Sequence, residues 1–283
     1  MLTNPLDTDR RLKLNNMIRL EFIKLGGSLI TEKDRPGTPR LNVLDRIAAE
    51  IAAALREDKT LRLVLGHGSG SFGHYPAQRY GTRSGVHTPE EWLGFAEVWQ
   101  QAAQLNRLVV EALVSAGMPA IAFPPSASVI AQDGKVASWD LSPIQSALQV
   151  SLLPVIYGDV VFDSVRGGTI LSTEDLFSHL APHLHPHRIL LAGIESGVWA
   201  DYPERTQLVS EITPHNLPLV APGLSGSAAT DVTGGMASKV QLSLELVSQN
   251  PNQQVLIFSG EQPGYVQRAL LGDRLGTLIT SDP

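Results

Sequence analysis

The chain contains no cysteine. Disulfides, thiolate zinc sites and thiol nucleophiles are therefore excluded. Nor is there an excess of positive charge. Its 22 lysines and arginines face 28 aspartates and glutamates, for a formal net charge of -6. Nucleic-acid binders are usually basic, so no nucleic-acid partner is expected. An anionic ligand would need a local cationic pocket, because the overall field opposes it. No apolar run reaches the length of a membrane span, and residues 1–17 carry Asp7 and Asp9 among basic side chains rather than an apolar signal core. The expectation is a cytoplasmic enzyme with no membrane partner and a loose extension over residues 1–17. The chain has 283 residues, 43% hydrophobic and 18% charged, enough to bury a sizeable core.

What the chain does have is glycine at strand ends. An apolar strand, Leu61 to Leu65, runs into Gly66, Gly68, Gly70 and Gly73, and the loop closes on His74. Without a Cβ, such a loop can turn backbone N–H groups toward an anion. A histidine at its end adds a side-chain donor, and a positive charge when protonated. The loop is expected to hold one phosphate onto which a second is moved. Gly68, Gly70 and Gly73 also match G-x-G-x-x-G, the dinucleotide fingerprint, but that motif needs a helix to begin at once. Pro76, Gly81 and Gly85 argue against a long helix there. A plain strand-exit turn would not need four glycines.

A second glycine turn, Gly26-Gly27-Ser28, ends the strand over residues 18–25. Lys24 precedes it inside an apolar run, where a charge needs a reason, and Lys33 follows in a polar turn. A lysine beside exposed amides makes a phosphate clamp. Residues 42–57 have the periodicity of an amphipathic helix. A longer one is expected from about 89 to 116, capped by Thr88 with Pro89 at its first position. On it Trp92, Phe95 and Trp99 share a face that either packs in the core or borders an apolar pocket.

Short strands are expected at Ala120–Phe123 and Leu152–Tyr157, and a strand or hairpin at Asp159–Asp163. Ser172-Thr-Glu-Asp175 reads as a capped helix start. His179, His183, His185 and His187 cluster, but Pro182 and Pro186 interrupt them, so a solvated helix end is expected and no metal site. A strand over Arg188–Ala192 enters a turn-rich segment. Asp231-Val-Thr-Gly-Gly-Met leads into a helix from about Met236 with Lys239 in its first turn, which again suits an anion. Strands at Val255–Phe258 and Gly276–Thr280 follow. Strands and helices alternate, with glycine turns at strand carboxyl ends. That predicts an α/β fold around an open, mainly parallel sheet with its ligands at that edge.

Taken in order, Lys24-Leu-Gly-Gly-Ser-Leu-Ile-Thr-Glu-Lys33, Gly66-His-Gly-Ser-Gly-Ser-Phe-Gly-His74, Gly158-Asp-Val-Val, Ser172-Thr-Glu-Asp175 and Asp231-Val-Thr-Gly-Gly-Met with Lys239 resemble the amino-acid kinase superfamily. Within it they resemble the isopentenyl phosphate kinase branch, from about Ile18 to the C-terminus. The resemblance implies a three-layer αβα sandwich, with an acceptor lobe over about 18–175 and a nucleotide lobe over about 176–283. It implies ATP and Mg²⁺ as cofactors, isopentenyl phosphate as substrate and a homodimer as the assembly. It also implies roles for single residues. Lys24 and Lys239 would contact the transferring phosphoryl group and the ATP phosphates, with Lys33 nearby. Gly26, Gly27 and Ser69 would present backbone to the γ-phosphate. Gly68, His74 and Gly158 would hold the acceptor phosphate, and Asp175 would orient the lysines. Gly193, Gly197 and Gly235 would border the nucleotide, and the aromatic helix face the isoprenoid tail.

One segment departs from the pattern: Ile194-Glu-Ser-Gly-Val-Trp199 stands where relatives often have an Asp-Val-Asp-Gly-Val-Tyr type stretch. A sister kinase for another phosphate or phosphonate, of the fosfomycin type, and a non-catalytic nucleotide-binding protein on the same fold are the alternatives.

Overall fold

The computed structural model describes residues 18–224 and 235–282. Its first half comprises β1 (Arg19–Leu25), α1 (Gly27–Ile30), α2 (Leu41–Glu57), β2 (Leu61–His67), α3 (Gly70–Tyr80), α4 (Pro89–Ser115), β3 (Ala120–Ala122), β4 (Val129–Gln132), β5 (Lys135–Trp139), α5 (Ser142–Gln149) and β6 (Leu153–Tyr157). Then come β7 (Asp159–Asp163), β8 (Gly167–Leu171), α6 (Thr173–Leu184), β9 (Arg188–Gly193), β10 (Val198–Trp199), β11 (Leu208–Val209), β12 (Glu211–Ile212) and α7 (Leu217–Leu224). The last elements are α8 (Gly235–Gln249), β13 (Gln254–Ser259), α9 (Tyr265–Leu271) and β14 (Gly276–Ile279). Residues 1–17 and Asp231 to Gly234 lie outside the described residues, and the expectations placed on them with them.

Eight strands form the main sheet in the order β12-β14-β13-β9-β1-β2-β6-β3. Every neighbouring pair from β13 to β3 is parallel, and β14 runs antiparallel to β13. Side chains alternate across a strand, so β1 feeds two cores. Ile23 and Leu25 join the core built with α2, α4 and α9. Phe22 joins the opposite one with Val64, Ile156 and residues of α6 and α8. The result is the expected αβα sandwich. Lys24 falls on the Phe22 face and so points toward α6. The chain leaves β1 for β2 on one side and returns on the other at β9. The order reverses at β1, and the crevice at the carboxyl ends there is where open α/β sheets bind ligands.

A second sheet, β5-β4-β7-β8, covers one end of this edge. The strand expected at Asp159–Asp163 is β7, and it forms a hairpin with β8. Asp163 accepts from the backbone N–H groups of Asp133 at 3.0 Å and Gly134 at 2.7 Å, which ties the β4–β5 turn to the β7–β8 turn. Strands β4 and β5 and helices α5 and α9 were not among the sequence expectations. Among the described residues, no helix is long and apolar enough to cross a membrane.

The glycine loop does run straight into a helix, contrary to expectation, although not a long one. Helix α3 begins at Gly70 and runs for 11 residues with Pro76 inside it. Proline removes one hydrogen bond but does not prevent a short helix whose packing holds it. The stop comes at Gly81, in the left-handed region at φ 63°.

Gly66 shows how tightly α6 approaches the sheet. A Cβ there would lie 2.4 Å from Cγ2 of Thr173 and 2.8 Å from the ring of Phe177. Gly66→Ala is expected to destabilise the protein by about 1–3 kcal/mol through overpacking. Urea unfolding at neutral pH checks this, as an unchanged midpoint would mean that α6 shifts freely.

Candidate active site

The two glycine turns touch each other. Gly68 N–H donates to the carbonyl of Leu25 at 3.0 Å, and Gly26 N–H to that of Ala192 at 2.8 Å. A Cβ on Gly27 would sit 2.4 Å from the nitrogen of Gly70. One on Gly70, which has φ +50°, would sit 2.2 Å from Oγ1 of Thr31. Backbone packs on backbone here, so the glycines are required by close approach as well as by conformation.

Above this contact lies a cavity of about 450 Å³. From the β1 side it is lined by Lys24, Gly26, Gly27 and Lys33, and from the β2 side by Gly68, Ser69 and His74. Gly158 closes one end; Gly193, Gly197, Gly235 and Lys239 border the other. Lys24 and His74 therefore share one cleft, as the sequence reading requires. Lys239 is the fifth residue of α8, which begins one residue earlier than expected.

Asp175 is the one expected site residue that does not line this cavity. Its Oδ2 accepts from Ser172 N at 2.8 Å and Ser172 Oγ at 2.7 Å, completing a capping box at the start of α6. It also faces Arg83 at 3.4 Å and lines a smaller adjoining recess with Lys239. The carboxylate on Lys24 is instead Glu174, with Oε1 2.7 Å from Nζ. Burial alone would raise the Glu174 carboxyl, but Lys24, helped by Lys239, holds it below the ordinary carboxylate value. Its place in the first turn of α6 adds the favourable end of the helix dipole. Sequence reasoning missed Glu174, although a signal existed: a residue committed to the cap leaves its neighbour for other work.

Of the two readings of the aromatic stripe, core packing holds for Trp92 and Phe95, and the border with the cavity that the resemblance implied does not. Trp92 and Phe95 pack together at 5.1 Å between ring centroids and against Phe162 at 5.9 and 5.4 Å, while Trp99 is 46% exposed. The α4 residues that reach the cavity are Val98 and Ala102, joined by Ala77 and Ile170. The inward stripe is the one through Phe95, Val98, Ala102 and Leu105, turned from the aromatic one. At the helix end below, the rings of His179 and His183 pack at 4.9 Å.

Behind the loop that carries Gly68, Gly70 and Gly73, His67 is buried. Its Nε2 lies 3.2 Å from Oδ1 of Asn106, its Nδ1 lies 3.1 Å from the carbonyl of Gly68, and its ring stacks on Tyr157. Burial, with a smaller contribution from the Lys24 charge, pushes its pKa down to about 4. This imidazole stays neutral in the fold and was not singled out from the sequence.

With this geometry in place, the comparisons are specific. The model of the amino acid kinase family matches residues 20–259. The chain belongs to the amino acid kinase family. An isopentenyl phosphate kinase of Methanothermobacter thermautotrophicus is 36% identical over 271 residues, covering 92% of this chain and 98% of that one. One from Haloferax volcanii is 36% identical over 257 residues, covering 88% and 98%. A solved isopentenyl phosphate kinase superposes with a TM-score of 0.78 at 32% identity, covering 93% of this chain and all of that one.

This family member also accounts for its own departure at Ile194–Trp199. Glu195 accepts from Trp199 Nε1 at 2.9 Å and from Arg205 at 2.8 Å, and Arg205 lies over the ring of Tyr202. All four side chains line the far end of the cavity, so its acidic residue is engaged within the wall.

The depressed His67 predicts a pH response. Below 6.5, its ordinary value, the imidazole of the unfolded chain gains a proton, whereas the folded one stays neutral down to about 4. Stability is therefore lost as pH falls through that window. The loss from this group is about 2 kcal/mol between about pH 7 and pH 5. Urea unfolding at both pH values should show His67→Gln losing less than the wild type by about that amount. An equal loss in both would contradict the buried neutral imidazole.

Proposed function

We propose that this kinase transfers the γ-phosphoryl group of ATP to a phosphate oxygen of isopentenyl phosphate, giving ADP and isopentenyl diphosphate. The observation that carries this reading is the single cleft that holds Lys24, both glycine turns and His74, with an apolar end formed by Ala77, Val98, Ala102 and Ile170. A phosphate can sit at the glycines and histidine while a short branched hydrocarbon occupies the apolar end.

The chemistry follows from charge. An acceptor phosphate oxygen forms the new bond to the γ-phosphorus as the bond to the β–γ bridging oxygen breaks, and the electron pair leaves with ADP. The acceptor is already an anion, so no strong base is needed. Positioning and neutralisation are the main requirements. On this reading His74, Gly68 and Gly158 hold the acceptor, and Gly26, Gly27 and Ser69 present backbone to the γ-phosphate, the Gly26 N–H itself being taken by the Ala192 carbonyl. Lys24 and Lys239 offset the repulsion between the two phosphates, with Lys33 at the rim, and Glu174 fixes the Lys24 ammonium. Gly193, Gly197 and Gly235 border the nucleotide.

Among the described residues no group of three or more histidines and carboxylates could hold a metal ion. Mg²⁺ would enter with ATP, bound through its phosphate oxygens, which is the ion's usual mode at such sites. Bound in that way it supplies further neutralisation of the transferring group. Residues 18–175 are read as the acceptor lobe and 176–283 as the nucleotide lobe, in a cytoplasmic homodimer of the kind the family resemblance implies.

Steady-state ADP release with isopentenyl phosphate, dimethylallyl phosphate and fosfomycin tests the reading. The highest kcat/KM is expected with isopentenyl phosphate. A preference for fosfomycin, or ATP binding without acceptor-dependent ADP release, would reject it. His74→Ala, Lys24→Ala and Lys239→Ala should each lower kcat by about a hundredfold or more, near 3 kcal/mol per lost donor. Near wild-type turnover in His74→Ala would remove its acceptor role. Full activity in both lysine variants would remove the clamp.

A further inference from the structure

Helix α3 carries His74, yet its own N-cap is inert. Ser69 makes no side-chain cap bond and sits at φ -76° and ψ -16°. Helix starts leave N–H groups without partners, which a side-chain oxygen normally satisfies. Here that oxygen comes from another segment. Ser71 N–H donates to Oγ1 of Thr31 at 3.0 Å. The same hydroxyl donates to the carbonyl of Gly27 at 2.8 Å, and the Thr31 backbone N–H reaches that carbonyl at 3.0 Å. Thr31 is 1% exposed and does not line the cavity.

One buried hydroxyl thus joins the turn at Gly26-Gly27 to the helix that presents His74. The other tie between the two turns, Gly68 N–H to Leu25, lies on the strand side of the contact. Gly37 N–H also reaches the carbonyl of Ser71 at 3.1 Å, from further along the chain. Without the hydroxyl, the direct bond from the Gly27 turn to α3 would be lost and a buried first-turn amide would lose its partner.

We propose that Thr31 is a positioning residue that caps α3 from the γ-phosphate turn and so sets the spacing between donor and acceptor phosphates. The role in transfer rests on the kinase reading above; the cap itself does not. Each phosphate still meets an intact loop when Thr31 is altered, so binding is preserved and alignment is lost. A misplacement near 1 Å can cost about a hundredfold in rate.

Thr31→Val keeps the branched shape and removes the hydroxyl, whereas Thr31→Ser keeps the hydroxyl. Two readouts are needed: amide hydrogen exchange at Ser71, and kcat with KM for ATP and isopentenyl phosphate. In Thr31→Val, exchange at Ser71 should rise by about tenfold, as expected for a lost hydrogen bond. Its kcat should fall by about ten- to a hundredfold, with both KM values within about threefold of wild type. Thr31→Ser should restore both readouts. Unchanged exchange in Thr31→Val would overturn the cap. Wild-type kcat, a loss confined to KM, or no rescue by Thr31→Ser would overturn the positioning role. An inactive wild type would reject the kinase reading together with that role, and exchange at Ser71 would still decide the cap.

Discussion

The backbone contact between Gly27 and Gly70 is the constraint from which the rest of the cleft follows. Two strands of one sheet end side by side, and each must turn without colliding with the other. Side chains at the contact would drive the turns apart, because a Cβ on Gly27 would lie 2.4 Å from the nitrogen of Gly70, and one on Gly70 2.7 Å from the carbonyl oxygen of Gly27. Removing them lets two sets of amides open onto one cavity at a separation fixed by the sheet. A sheet built from parallel strands is rigid in this respect. Strand spacing and register, with Lys24 opposite Gly66 and Leu25 opposite His67, set the geometry before any ligand arrives.

Charge is then placed on that frame at a cost. Lys24 stands in an apolar strand, where an unpaired ammonium would be expensive to bury. Glu174 offsets this from the first turn of α6, a position that itself favours a negative charge. Removing one partner of a buried pair typically costs about 3–5 kcal/mol, because the other is left uncompensated. The pair therefore keeps the ammonium in a single orientation at the cavity wall. A flexible lysine on a loop would supply the same charge without the same direction.

Much of this was legible in the sequence, for identifiable reasons. Glycine clusters after apolar runs located both turns, and the charge inside Ile23-Lys24-Leu25 marked the lysine. The alternation of strands and helices predicted the layered fold, since periodicity is a local property. What escaped was what depends on rotation and on distant packing. Two adjacent carboxylates, Glu174 and Asp175, are indistinguishable until the cap occupies one of them. The aromatic stripe on α4 was recognised as a face, but not the angle at which that face meets the cavity. Pro76 argued against a helix that tertiary contacts nevertheless hold. Thr31 and His67 carry little local signal, because the partners that distinguish them, Ser71 and Asn106, lie 40 and 39 residues away.

The central claim is that two anions meet across the touching glycine turns, one held from the His74 side and one from the Lys24 side. The most direct measurement is a crystal structure of the protein with a non-hydrolysable ATP analogue and isopentenyl phosphate bound together. The account predicts the acceptor phosphate in hydrogen-bond contact with the His74 imidazole and the γ-phosphate beside the Lys24 ammonium, with the attacking oxygen in line with the bridging oxygen. An acceptor phosphate bound away from His74, or a γ-phosphate with no contact to the Gly26-Gly27 turn, would contradict it.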